Sequence, residues 1–531
     1  MGRGKSETGK LIKGRMIVLI GMIWLLTTNK VSAAEIENNQ LYKPQILQSD
    51  QRYIYTTKIR DQAVIIDTYP KMHIEAVLGK AERLLLVDAY LVLIEEQAWF
   101  DHLILSQGDT LNRRCSTITI YDIQDRANPK QLRKIEVEGT LESITFNKKS
   151  KQIHFVTYIG DMDKLNAIKR KEDFLPAYRD SAKGQMAYLL PFEKVYNVPK
   201  EFNIKSSVSV IGSFGLEENI ALEMLAVVGK DQHILSTENE IFISTSNDYK
   251  RTINKIELSN RGVQYIGANT LPYEQSRNIN MEYIKDTLFI GLISEQEEQV
   301  ICHIVAIDKQ MKAIGKYTFK ANDKENCKIN FNENKAYIQN LDQVLAIIDL
   351  SIPNRLIKST QIDLPEIRYG LRSIEKNLAI EIGYVLIHKE VEGEWGATYH
   401  YYGPDSVYIK LFDTSNKSLK KLDEVTVGIQ SSAVYNPDTA IVSQENQIVA
   451  LPVFETLSSE EKVCVFKVQD NQLIEIGKLS RIKTYKGFYY TSSDSYVFSI
   501  GDKLYYLYNN EISEYQLKDL KYIGNMVIEI K

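Results

Sequence analysis

The chain has 531 residues, 44% of them hydrophobic and 32 of them tyrosine, which excludes a disordered polymer and allows a sizeable core. Four cysteines exclude a disulfide scaffold, and a formal charge of −4 gives nucleic acid or an anionic membrane no electrostatic hold.

The first 33 residues read separately from the rest. Arg3, Lys5, Lys10, Lys13 and Arg15 face one acid, Glu7, ahead of the apolar run Met16 to Thr28. Small residues follow, with Val31 two places before Ala33. A basic head, a short apolar core and a small-residue exit predict a signal peptide over 1–33, cleaved near Ala33/Ala34. The run is shorter than the roughly 20 residues that cross a bilayer, although an uncleaved N-terminal anchor stays open. Removing six basic residues and one acid moves the charge from −4 to −9. "MGRGKS" fits a myristoylation pattern but stands directly before an export segment. "GKSETGKL" imitates a phosphate loop but has Leu11 where Ser or Thr would hold magnesium.

From there the pattern is strand after strand. In "TITIYDIQDRANPKQLRKIEVEG", Thr117 to Gly139, period-two spacing puts Ile118, Ile120, Ile135 and Val137 on one face of a hairpin. Asp122 and Asp125 suit the turn, and Pro129 removes a donor from it. The phrase recurs from Gln343 with Asp349 and Pro353, and from Val407 with Asp413 and Asn416. Three further copies share its rhythm, two of them with Ile-Gly before a lysine, at Ile314 and Ile476. A hairpin precedes most copies, making four strands per unit. About nine candidate units begin near Ile46, Leu85, Ile144, Ile234, Ile279, Ile329, Leu371, Ala433 and Tyr496. Four-stranded units at this spacing predict an all-β chain, one large propeller of seven to nine blades over 34–531. Helical patterning is confined to stretches such as 161–173 and 216–224.

Two long insertions, at about 159–205 and 390–406, break the rhythm. The first holds Tyr178, Arg179 and Asp180, either a structural ion pair or a clamp for a carboxylate or phosphate. The second reads as a glycine-bracketed loop with Trp395, Tyr399, His400, Tyr401 and Tyr402, suited to stacking on a sugar or peptide or to covering a blade. Cys464, among apolar strand residues, reads as a buried thiol, while Cys302 and Cys327 fall in consecutive units where pairing is open. No spacing of Cys, His or acid predicts a metal, no cofactor is expected, and the seven histidines are scattered.

The Gly-His…Trp-Asp and Gly-Gly turns of common propellers are absent. Instead "AVIIDTYPKMHIEAVL" (63–78), the phrase at 117–139, "LPAYRDS" (175–181), "NQIVALPVF" (446–454) and "SIGDKLYYL" (499–507) occur in order. In these the chain resembles the uncharacterised family of secreted proteins with a C-terminal β-propeller distantly related to WD40 repeats. The resemblance implies a large propeller and an extracytoplasmic life, and it carries no enzymatic activity to transfer. Two functions stay open. One is a non-enzymatic, monomeric binding or scaffolding module that grips a protein, peptide or glycan by loops on one face. The other is an extracytoplasmic hydrolase or lyase acting at the channel mouth. No catalytic residue is assigned, and no nucleic-acid partner or membrane span is expected of the mature chain.

Overall fold

The computed structural model describes residues 41–529 except 43, 60–61, 100–113, 161–174, 185, 199–206, 217–219, 248–249, 260–261, 273–276, 297–298, 322–326, 333, 340–343, 359–371, 393–397, 414–419, 435, 457–460 and 481–494. The leader over 1–33 and its cleavage point lie outside the described residues, as does the stretch 161–173. Of the other expected helical stretch, the end is strand, from Glu223 to Val228, because its apolar residues run on without a break to Val228 and are buried on both faces of the sheet. Among the described residues no helix is long and apolar enough to cross a membrane.

The described strands form nine sheets, each built on four antiparallel strands that follow one another in the chain, except that in the third the segment 177–196 intervenes between the second strand and the third. Their first strands begin at Leu47, Arg83, Thr140, Lys230, Arg277, Lys328, Arg372, Ile441 and Ser495. The expected starts match this series except in the eighth unit, where two 3₁₀ turns, Ser432–Val434 and Pro437–Thr439, precede the first strand. Residues 38–364 form one compact body containing the first six sheets; residues 365–529 form a second containing the last three.

Within each body, successive sheets pack face to face, and strand alternation divides residues between the two faces. Leu84, Leu91 and Leu93 of the second sheet pack on Tyr55 and Ile65 of the first. Their neighbours Leu85, Val92 and Ile94 point the other way, onto Phe146, Phe155 and Phe214 of the third. Ile118, Ile120, Ile135 and Val137 all join that second cluster, as period two requires.

Two features recur from sheet to sheet. The first is an aspartate at the end of the third strand, which accepts the backbone N–H two residues on and closes the turn. Asp67 takes Tyr69 N–H at 2.8 Å, Asp122 takes Gln124 at 2.9 Å, Asp308 takes Gln310 at 3.0 Å and Asp349 takes Ser351 at 2.8 Å. The second is a bulge in the fourth strand. In four sheets it falls on the isoleucine of an Ile-Gly pair: Ile266, Ile314, Ile476 and Ile523 oppose no residue of the third strand. All four are exposed. A bulge twists an edge strand away from straight pairing and so blunts it.

The segment before the first sheet runs across its neighbours. Leu41 and Tyr42 pair with Asn147 and Phe146 of the third sheet, and Gln45 bridges Leu84 of the second.

Candidate functional site

Three places leave the repeat. The first is the segment carrying Tyr178, Arg179 and Asp180, which crosses from the third sheet to become a fifth strand of the second. It pairs Tyr178 with Val137, Arg179 with Glu136 and Asp180 with Ile135, and Ala187–Leu189 adds a sixth strand outside it. Asp180 is buried and receives Arg133 Nε and Nη2 at 3.0 and 2.7 Å. Arg133 also donates to Ile220 O at 2.8 Å and lies over the Phe214 ring at 5.4 Å. Arg179 meets Glu136 at 2.6 Å, and Glu136 also receives Lys134 at 3.0 Å. Tyr178 packs on Tyr188, ring centres 5.7 Å apart, with Lys183 above it. The Arg179 and Asp180 charges thus face charges of the second sheet, and the segment covers that sheet's edge.

The second place is in the seventh sheet. The stretch read as a loop is mostly strand: Leu378–Glu392 and Thr398–Asp413 pair along their whole length, with residues 393–397, and so Trp395, outside the described residues. The correction has a physical basis, since a Tyr-His-Tyr-Tyr run favours a pleated backbone over a turn. The first strand of that sheet pairs only as far as Ile380, and the fourth only from Val407 on. Beyond those points the two middle strands continue to pair with each other as a two-stranded ribbon. Tyr399, His400, Tyr401 and Tyr402 lie on it opposite Val391, Glu390, Lys389 and His388. The structure therefore brings these four residues together on one ribbon and places Tyr178, Arg179 and Asp180 elsewhere, in the other compact body.

The third place was not read from the sequence as chemistry, although "DTYPKMH" contains it. Arg52 embraces both oxygens of Asp67, with Nε at 2.8 Å from Oδ1, and lies over the Tyr53 and Tyr69 rings at 5.3 and 5.8 Å. From the Asp125-Asn128 turn of the second sheet, Arg126 reaches Tyr55 Oη at 2.8 Å and Asp50 at 2.9 Å. The Arg52 guanidinium holds Asp67 below the usual carboxylate range. His73 is raised by the Lys71 carbonyl at 3.1 Å and by Glu75 at 3.0 Å. Asp67, His73 and Glu75 place a ligand atom each within 4.8 Å of one another. A cation there would have to displace Arg52. Tyr69, 65% exposed, makes this an aromatic and charge-paired surface.

Elsewhere, the four cysteines and two of the described histidines, His154 and His303, are buried. Burial pushes the thiols of Cys115 and Cys302 up to about 12 and that of Cys464 to about 11. Cys464 is a buried thiol, as its apolar setting predicts. Burial lowers His154 and His303 to about 4. His303 Nε2 contacts Ser294 Oγ at 3.2 Å, but Nδ1 faces the Thr318 hydroxyl at 3.3 Å where a triad would place a carboxylate.

Residues 36–520 match the family described as beta propeller domain. No curated protein matches the chain. Among solved structures, apo AztD from Citrobacter koseri is 10% identical over 78% of this chain and 92% of its own, with a TM-score of 0.34. Dihydro-heme d1 dehydrogenase NirN in complex with DHE is 11% identical over 99% and 87%, TM-score 0.35. The β-propeller domain of the Trilobed protease from Pyrococcus furiosus is 10% identical over 72% and 95%, TM-score 0.26.

Proposed function

Because the chain belongs to the beta propeller domain family, we propose that it is an exported binding module that holds a protein, peptide or glycan partner. The observation that carries this reading is the ribbon of residues 386–392 and 398–404, two strands extended past both of their neighbours in the sheet. Repeat positions are committed to packing between sheets, so specificity is best sought in a feature that departs from the repeat. Its sequence supplies Glu390, Glu392 and Glu394 before Trp395 and an aromatic run after it. That combination suits a basic peptide or a carbohydrate better than an anion. Unpaired main chain along the ribbon would also accept an extended peptide as an added strand.

The basic head, apolar run and small-residue exit of the first 33 residues support export, with the mature chain starting near Ala34 or Glu35. N-terminal sequencing of exported protein that returned Met1 or Gly2 would reverse this part. For binding, the chain with Trp395→Ala and Tyr401→Ala is compared with the parent for capture of an oligosaccharide array and a basic peptide library. Lost capture at an unchanged melting temperature supports the reading. Unchanged capture, or a loss of several kcal/mol in stability as emptied core sites would give, removes it.

A further inference from the structure

Cys302 lies in the third strand of the fifth sheet, Gln299–Asp308, opposite Ile293 on one side and Phe319 on the other. Cys327 immediately precedes the first strand of the sixth sheet, Lys328–Asn332. Both belong to the apolar cluster between these two sheets, with Phe289, Ile304 and Ile329. Gly291 sets how closely the sheets approach. A Cβ added there would stand 2.7 Å from Ile329 Cγ2, so strand 328–332 rests directly on strand 287–296. Gly291 is paired with Ile304, and the next pair on the same face is Ile293 with Cys302. Cys327 stands a matching two residues before Ile329. The two thiols accordingly meet as hydrogen-bond partners.

We infer that Cys302 and Cys327 are a redox pair that closes to a disulfide as the chain folds in an oxidising compartment, tying the fifth sheet to the sixth. The oxidant is a dithiol–disulfide exchange partner. One thiol loses its proton and its thiolate attacks the partner's disulfide, forming a mixed disulfide and releasing one partner sulfur. The second thiol, deprotonated in turn, displaces the other. One S–S bond forms and one breaks; the two cysteines lose two electrons and two protons, and the exchange partner is reduced to two thiols.

Timing follows from burial. Cys302 is fully buried and Cys327 nearly so, which leaves little thiolate in the folded chain. The bond is therefore made before the sheet faces close, and the finished fold then shields it from reductant. Cys115 and Cys464 belong to other clusters, with no second cysteine beside them. This inference is independent of any partner for the ribbon.

The test uses the full chain, unfolded with reductant and refolded with reduced and oxidised glutathione. Thiol titration in denaturant should fall from four per chain to two. A tryptic digest left unreduced should contain the peptides of Cys302 and Cys327 joined, and this species should vanish on reduction. The chain with Cys115→Ala and Cys464→Ala should keep the cross-link. Reduction should be at least tenfold slower in the folded chain than in denaturant. Four titrating thiols, a link through Cys115 or Cys464, or equal reduction rates would overturn the inference.

Discussion

Removing the Asp180 carboxylate tests how the second sheet is finished at its edge. Both Asp180 oxygens receive Arg133, whose side chain is fully buried. Each charge-assisted hydrogen bond contributes about 1.5–3 kcal/mol. Asp180→Ala takes away both bonds from Arg133, together with the Ala182 N–H bond to Oδ1 at 3.1 Å, and leaves a guanidinium that keeps the Ile220 and Gly215 carbonyls, at 2.8 and 3.5 Å, for its remaining donors. The expected cost is about 3–5 kcal/mol, the range for breaking a buried pair by removing one partner. Replacing both, Arg133→Met with Asp180→Leu, should cost far less, because no charge stays behind. Urea unfolding followed by far-UV circular dichroism gives the midpoint and slope for Asp180→Ala, for Arg133→Met and Asp180→Leu singly and together, and for the parent. The double-mutant cycle should show a coupling of at least about 2 kcal/mol. A cost below about 1 kcal/mol for Asp180→Ala, or simple additivity, would refute the argument and return Asp180 to the list of ligand-binding groups.

His154 is buried on the second strand of the third sheet and lowered to about 4, against about 6.5 in the unfolded chain. The unfolded chain therefore binds the proton first as pH falls. Stability is whole above about pH 6.5, declines below it and levels off under about pH 4, a total of about 3 kcal/mol; His154→Phe should flatten the difference in a pH series of unfolding curves, and an unchanged slope would contradict it. Gly315→Ala should cost about 1–3 kcal/mol, because its Cβ would sit 1.9 Å from the Pro353 carbonyl oxygen, which is backbone of the next sheet. Gly267→Ala, in the same bulge of another sheet with nothing within 4 Å, should be neutral or slightly stabilising. Equal effects of the two glycine changes in thermal unfolding would show that packing is not what separates them.

The repeat was legible because it is local. An alternating strand, an aspartate and a turn need only a few neighbouring residues to declare themselves, and Asp122 closes its turn within the phrase that announced it. The Ile-Gly pair was visible as rhythm, but its meaning was not, since a bulge exists only relative to the partner strand. Arg133 shows the same limit more sharply. It lies inside the best-read phrase, where it looks like one of a run of polar positions. Period two places Arg133 on the face of Ile135 and Val137, since the bulge between Ile120 and Tyr121 skips only Leu132 before it, but nothing in the phrase says what a buried guanidinium there would pair with. Its partner stands 47 residues away on a strand borrowed from another part of the chain. No pattern within either segment encodes that meeting.

The two insertions differ in a way that bears on function. The strand at Ala177–Asp180 adds to an edge that would otherwise expose a row of unpaired main-chain groups, and its charges close on the sheet it covers. Stability alone explains its retention. The ribbon of the seventh sheet does the opposite. Past Ile380 and before Val407 it loses both neighbours and so creates edges where the repeat had none. Such edges invite pairing with other chains unless charges discourage it, and Lys389, Glu390 and Glu392 lie on this stretch. On the proposed reading, the ordering that this hairpin costs is offset by what it meets outside the chain. The acids that deter self-association then become selective, admitting a basic segment and turning away another copy of the ribbon. Replacing Glu390, Glu392 and Glu394 together by Gln should therefore weaken capture of a basic peptide and promote self-association in sedimentation. A variant that stays monomeric and binds as before would show that these acids serve neither purpose.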